Sequence, residues 1–271
     1  MKKDTYLIGG IDSFGVPYTR DNKNNINHLK VVFDFFKENI DNLKMIDMYS
    51  MSTYNDTDYL SSILKDNTSL YEIKQNQRKS ITLCRNSGIF QFIQLPDKTR
   101  ELYHLNDNDK NEKIVDILSN NNIAFIYSCG VNDFLKNMDT NLAKMLNTKE
   151  MARSFENIDA TIKLVIDKIE NNIKALLKIN PELELYIMSI YTPTRVKYIR
   201  KRVQYPIELY NEALKQLCSK YEQVYFIDNS NLTKDNMAHV DWHPNLSGQL
   251  LMGQNIITEM KSNSKILNLK K

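Results

Sequence analysis

The sequence predicts an α/β fold, a three-layer α/β/α arrangement around a central, mainly parallel sheet. Two observations predict it. Short apolar runs of strand length alternate along the chain with longer stretches whose apolar residues recur at helical spacing. Several of those runs are apolar throughout, the pattern of parallel strands buried on both faces. Strand–helix alternation of this kind implies βαβ crossovers, and open parallel sheets bind ligands outside the carboxyl ends of their strands.

The first run, Tyr6–Ile8, reads as a strand ending in Gly9–Gly10. Ile26–Ile40 places Leu29, Val32, Phe33, Phe36 and Ile40 at helical spacing. Leu43–Tyr49 reads as the second strand and Ser80–Cys84 as the third. Asp109–Leu118 is a short amphipathic helix leading to the strand Ile123–Tyr127. A long helical pattern fills Met151–Ile179 and stops before Pro181. Leu183–Ile190 is a strand, Pro206–Tyr221 a helix, Val224–Ile227 the last strand and Leu246–Met260 the closing helix. With no internal repeat, long linker or low-complexity block, residues 1–271 read as a single domain. Residues 55–79 are polar and read as an insertion or a lid.

Composition narrows the function classes. The 271 residues are 42% hydrophobic and 25% charged, ordinary for a globular protein, and the net charge of +3 argues against a nucleic-acid partner. Cys84, Cys129 and Cys218 are widely spaced and form no CxxC pair, so they read as reduced thiols rather than a disulfide framework or zinc site. The four histidines show no metal-ligand spacing. No stretch approaches the roughly 18 apolar residues of a membrane span, and the N-terminal apolar run is too short for a signal peptide. The expectation is a cytoplasmic protein with no metal, no organic cofactor and no transmembrane segment.

Three segments carry candidate chemistry. Gly9-Gly10-Ile11-Asp12-Ser13-Phe14-Gly15 follows the first strand, and Ser128-Cys129-Gly130-Val131-Asn132-Asp133 follows the strand Ile123–Tyr127. Asp241-Trp242-His243-Pro244-Asn245-Leu246-Ser247-Gly248 leads into the last helix. A serine on a tight turn at a strand end can point its hydroxyl into a cleft, and a histidine has the right pKa to take its proton.

In this order the segments resemble the blocks of the SGNH/GDSL hydrolases, a family whose fold is flavodoxin-like. The resemblance implies a serine hydrolase that cleaves a carboxylic ester through an acyl-enzyme. It assigns Ser13 as nucleophile, His243 as general base and Asp241 as the residue orienting the imidazole. It also assigns Gly88, from Asn86-Ser87-Gly88, and Asn132 to the oxyanion hole with the Ser13 backbone N–H. Two features depart from the family pattern. Ile11 stands where the first block has glycine, and Asp241 lies two residues before His243 where three is usual, that position being Val240. Asp241 or a backbone carbonyl would then hold the ring.

The implied substrate is a small-molecule, lipid or carbohydrate ester. Carbohydrate O-deacetylation and acyl transfer would use the same residues, and a catalytically silent binding protein on the same fold is the rival from another class. Plainer readings stand beside these. Asn132-Asp133 also suits a turn cap, Trp242 suits packing of the last helix, and His239 competes with His243. The basic run Arg195–Arg202 reads as a solvated connection between strand and helix.

Overall fold

The protein's structure, a computed structural model, describes residues 3–11, 26–49, 56–86, 107–128, 133, 158–191, 197–237 and 243–267. At 11, 56, 80–86, 107 and 197–203 it describes the backbone alone. The strands are β1 (Thr5–Ile11), β2 (Leu43–Asp47), β3 (Asn122–Ser128), β4 (Glu184–Met188) and β5 (Val224–Ile227). Between them run α1 (His28–Phe36), α2 (Asp56–Lys65), α3 (Leu70–Asn86), α4 (Ile114–Asn120), α5 (Ile158–Ile179) and α6 (Lys197–Cys218). The last helix, α7 (Leu246–Asn263), follows β5. Among the described residues no helix is long and apolar enough to cross a membrane.

Among the described residues all strand pairings are parallel and the order is β2-β1-β3-β4-β5. Burial follows position in the sheet. The inner strand β4 is buried at every residue and β3 at all but its first, whereas β2 and β5, at the edges, bury only part of theirs. Because right-handed crossovers are strongly preferred, the β1–α1–β2 unit and the units after β3 set their helices on opposite faces. Accordingly α7 packs along α1, while α2 and α4 pack on α5, which also meets α6. On α5 the buried residues Ile162, Val165, Ile169, Ile173 and Leu176 form one stripe at helical spacing.

The structure overturns the strand expected at Ser80–Cys84. Those residues are the last turns of α3, so the described sheet has five strands, not six. The helix is set earlier, at Ser69: its backbone N–H and hydroxyl both donate to Glu72 Oε2 (2.8 and 2.7 Å), and its Oγ accepts from the Glu72 N–H (3.3 Å). This is a reciprocal capping box, and the buried residues Leu70, Ile73 and Gln77 continue its period. A short β-favouring run cannot leave a helix already nucleated and packed upstream.

Within residues 56–79 the segments 56–65 and 70–79 lie on α2 and α3, and they contribute Leu60, Ile63, Leu64, Leu70 and Ile73 to the core. The helix expected from Pro206 begins nine residues earlier, at Lys197, with Pro206 buried inside it. The backbone of residues 197–202 is therefore helical rather than a connection.

Ser69→Ala is expected to lower the unfolding free energy by about 1 kcal/mol, read as a lower urea midpoint at unchanged m-value.

Candidate active site

β1 and β3 are paired residue for residue up to Ile11↔Ser128, so both strands end at the same level. β1 has β2 on its other side, and the next strand in sequence, β3, returns past β1 to lie beside it. This is the point where the strand order reverses, the crevice in which open α/β sheets bind ligands. The strand runs three residues further than Tyr6–Ile8, so Gly9 and Gly10 are strand residues and not turn residues. Their lack of a side chain serves packing. A Cβ on Gly9 would lie 2.8 Å from the Leu29 methyls of α1, and one on Gly10 would lie 2.5 Å from Met48 Cβ.

Beyond the two strand ends, Ser13 and Asn132 lie outside the described residues, as do Gly88, Asp241, Trp242 and His239. Gly88 was expected after a strand near Cys84; the chain before it is instead the end of α3.

Asp133 is described and fully buried. Its carboxylate accepts the Thr57 backbone N–H at 3.2 Å and the Thr57 hydroxyl at 2.5 Å. Thr57 is the second residue of α2, so the negative charge sits at the positive end of that helix. Asn172 of α5 completes the joint, donating to the Thr57 carbonyl and the Tyr127 hydroxyl, each at 2.9 Å. Asp133 therefore ties the chain just after β3 to the start of α2. Local sequence suits a turn cap at this position and carries no sign of Thr57, which is 76 residues away.

The third segment is a built helix start. Asn245 caps α7 by accepting the Gly248 N–H at 3.0 Å, and its side-chain amide donates to the Asp235 carbonyl at 2.7 Å. Its backbone N–H reaches the Asn236 carbonyl at 2.9 Å, and Pro244 pairs with Met237 in an isolated antiparallel bridge. A Cβ on Gly248 would run into the Asn236 carbonyl oxygen and approach Pro244 Cβ at 2.7 Å, so this position needs glycine. Pro244, Asn245 and Gly248 thus fix the backbone on which His243 stands. His243 itself is half-buried, and burial holds its pKa well below the ordinary histidine value. The ring is accordingly neutral at pH 7, the form able to accept a proton.

Among the described residues no cluster of three or more His, Cys, Asp or Glu is arranged to hold a metal ion. No family profile matches the sequence, and no curated protein matches it. Solved structures do match. The chain aligns with a lipase from a goat rumen metagenome at a TM-score of 0.58 and 11% identity, over 98% of this chain and 100% of that one. The fold is that of the SGNH/GDSL hydrolases. An extracellular lipase from Streptomyces rimosus aligns at a TM-score of 0.51 and 10% identity, over 97% of this chain and 100% of that one. A carbohydrate esterase family 2 enzyme with its carbohydrate-binding domain, from Corynascus thermopiles (Myceliophthora fergusii), aligns at 0.51 and 13%, over 97% and 67%. At these identities the SGNH likeness is one of backbone path.

Gly248→Ala is expected to destabilise the protein by about 1–3 kcal/mol through overpacking at the α7 start, measured by thermal or urea unfolding. Alanine at the neighbouring exposed Ser247 serves as the mild control.

Proposed function

We propose that the protein is a serine hydrolase that cleaves a carboxylic ester, with Ser13 as nucleophile and His243 as general base. The observation that carries this reading is the β1–β3 register. The chain leading to Ser13 and the chain leading to Asn132 leave the sheet side by side at its switch point. The capped α7 start that bears His243 supports it further.

In this mechanism His243 takes the Ser13 hydroxyl proton as the oxygen attacks the acyl carbon. The tetrahedral oxyanion accepts hydrogen bonds from the Ser13 N–H, the Gly88 N–H and the Asn132 side-chain amide. The imidazolium then protonates the departing alkoxide, leaving an acyl-enzyme. Water, deprotonated by His243, releases the acid and restores Ser13. Asp241 holds the other ring nitrogen and stabilises the imidazolium. Carbohydrate O-deacetylation and acyl transfer to an alcohol use the same steps, and the carbohydrate esterase among the similar folds makes acetylated sugars worth assaying.

Chromogenic acyl esters and acetylated sugars are expected to be turned over by the wild type, with losses of at least about 1,000-fold in Ser13→Ala and His243→Ala. A serine-directed phosphonate should label the wild type and not Ser13→Ala. Turnover that survives in Ser13→Ala overturns the mechanism. An unlabelled, inactive wild type favours a silent binding protein on this fold.

The pH profile offers a separate check. The neutral ring is the active form and burial lowers its pKa, so loss of the base moves to lower pH. Asp241 opposes this by stabilising the imidazolium, so the acidic limb of kcat/KM is expected to move to lower pH in Asp241→Asn; a limb that this substitution leaves in place or raises contradicts the pairing of Asp241 with His243.

A further inference from the structure

A second histidine, His28, is wholly buried where α1 begins, just after the segment 12–25 that contains Ser13. Its backbone N–H donates to Gln249 Oε1 at 3.0 Å, and its ring Nδ1 meets the same oxygen at 2.8 Å. A backbone N–H can only donate, so the amide atom facing it is the oxygen, and Nδ1 must carry the ring proton. Nε2 is then bare and accepts the Tyr49 hydroxyl. Burial holds the His28 pKa near 4, which keeps this neutral tautomer at working pH.

The groups around the ring are themselves tied down. The Tyr49 backbone N–H donates to Asp47 Oδ1 at 2.9 Å, and the Asn27 amide donates to Asp47 Oδ2 at 2.9 Å. Gln77 of α3 donates to the Tyr49 and Asp47 carbonyls at 2.8 and 3.0 Å. On the far side, Gln249 lies in the first turn of α7, and its N–H bonds the carbonyl of Asn245, two residues past His243. Gly253 lets the two helices close up, since a Cβ there would lie 2.6 Å from Val31 Cγ1.

From this geometry we propose that His28 is a positioning residue for the candidate active site. Through Gln249 it locks the first turn of α7, and with it the backbone of His243, to the α1 start that follows the Ser13 segment. The proposal rests on the ester-hydrolase reading for its catalytic consequence. Its structural core, the hold of His28 on α7, is independent of that reading.

Two substitutions separate the two ends of the ring. The amide nitrogen of His28→Asn overlays Nδ1 and keeps a donor for Gln249. The amide of His28→Gln overlays Nε2, keeping a partner for Tyr49 and losing the side-chain link to Gln249, so that only the backbone N–H of residue 28 still reaches that oxygen. Kinetics per folded molecule and amide hydrogen exchange are measured for both variants and the wild type, with β3 amides as the reference for global stability. His28→Gln is expected to lose about 10-fold or more in kcat with KM little changed, while His28→Asn stays within a few-fold of wild type. Exchange at Gly248 and Gln249, relative to β3, is expected to quicken about 10-fold in His28→Gln only. Equal kcat in the two variants, or unchanged exchange in His28→Gln, overturns the proposal. If the wild type neither turns over esters nor takes the phosphonate, the ester-hydrolase reading fails, and the exchange comparison still decides whether His28 holds α7.

Discussion

Parallel pairing of β1 with β3, from Thr5↔Asn122 to Ile11↔Ser128, sets where everything else can lie. The pairing makes β1 an inner strand, with β2 on one side and the rest of the sheet on the other. An inner parallel strand must be covered on both faces, and the apolar run Tyr6–Ile8 meets that demand. The reversal of strand order beside β1 then opens a crevice at the carboxyl edge, where both strands end. A one-residue slip would turn the side chains of β1 to the opposite faces. It would also shift the end of β1 relative to that of β3, so the register that builds the core also sets the level of the crevice floor.

Around this edge the protein achieves precision through close backbone approach and polar joints. Gly9 admits Leu29 of α1, Gly10 admits Met48, Gly253 admits Val31, and Gly248 admits the Asn236 carbonyl. Each lets two elements approach more closely than a side chain would permit. The joints at Asp133–Thr57, Asn245–Asp235 and His28–Gln249 then fix how those elements are oriented. Buried polar groups such as Asp133 and His28 are costly unless satisfied, and their partners lie 76 and 221 residues away in the chain. Such a frame suits a site whose reacting groups come from separate segments.

Much of the fold was legible in the residues, and the exceptions have physical causes. Ile123–Tyr127 is a continuous apolar run and Leu183–Ile190 is interrupted only by Glu184 and Ser189, and the structure has strands there because only a doubly covered sheet buries them so fully. Ser80–Cys84 has the same local character yet is helical, because the capping box at Ser69 and the buried stripe from Leu70 commit the chain upstream. Pro206 resembles a first-turn proline but lies within α6, among buried positions that include Ile207 and Tyr210. At the candidate site, His243 is marked by the resemblance of His243-Pro244-Asn245 with Gly248 to the last SGNH/GDSL block, a segment the structure forms as a helix start. His28 carried no such mark: its partners Gln249 and Tyr49 are 221 and 21 residues away.

Local periodicity and strand-end motifs were enough to establish the strand–helix alternation and to mark which loops leave strand ends, since both depend on near neighbours in the chain. They could not say which of those loops meet. That followed from the strand order β2-β1-β3-β4-β5, which sets β3 rather than β2 beside the crevice at the end of β1. Nor could they show that Asp133 anchors α2 or that His28 anchors α7. Those roles arise from hydrogen bonds between residues brought together only when the helices close on the sheet.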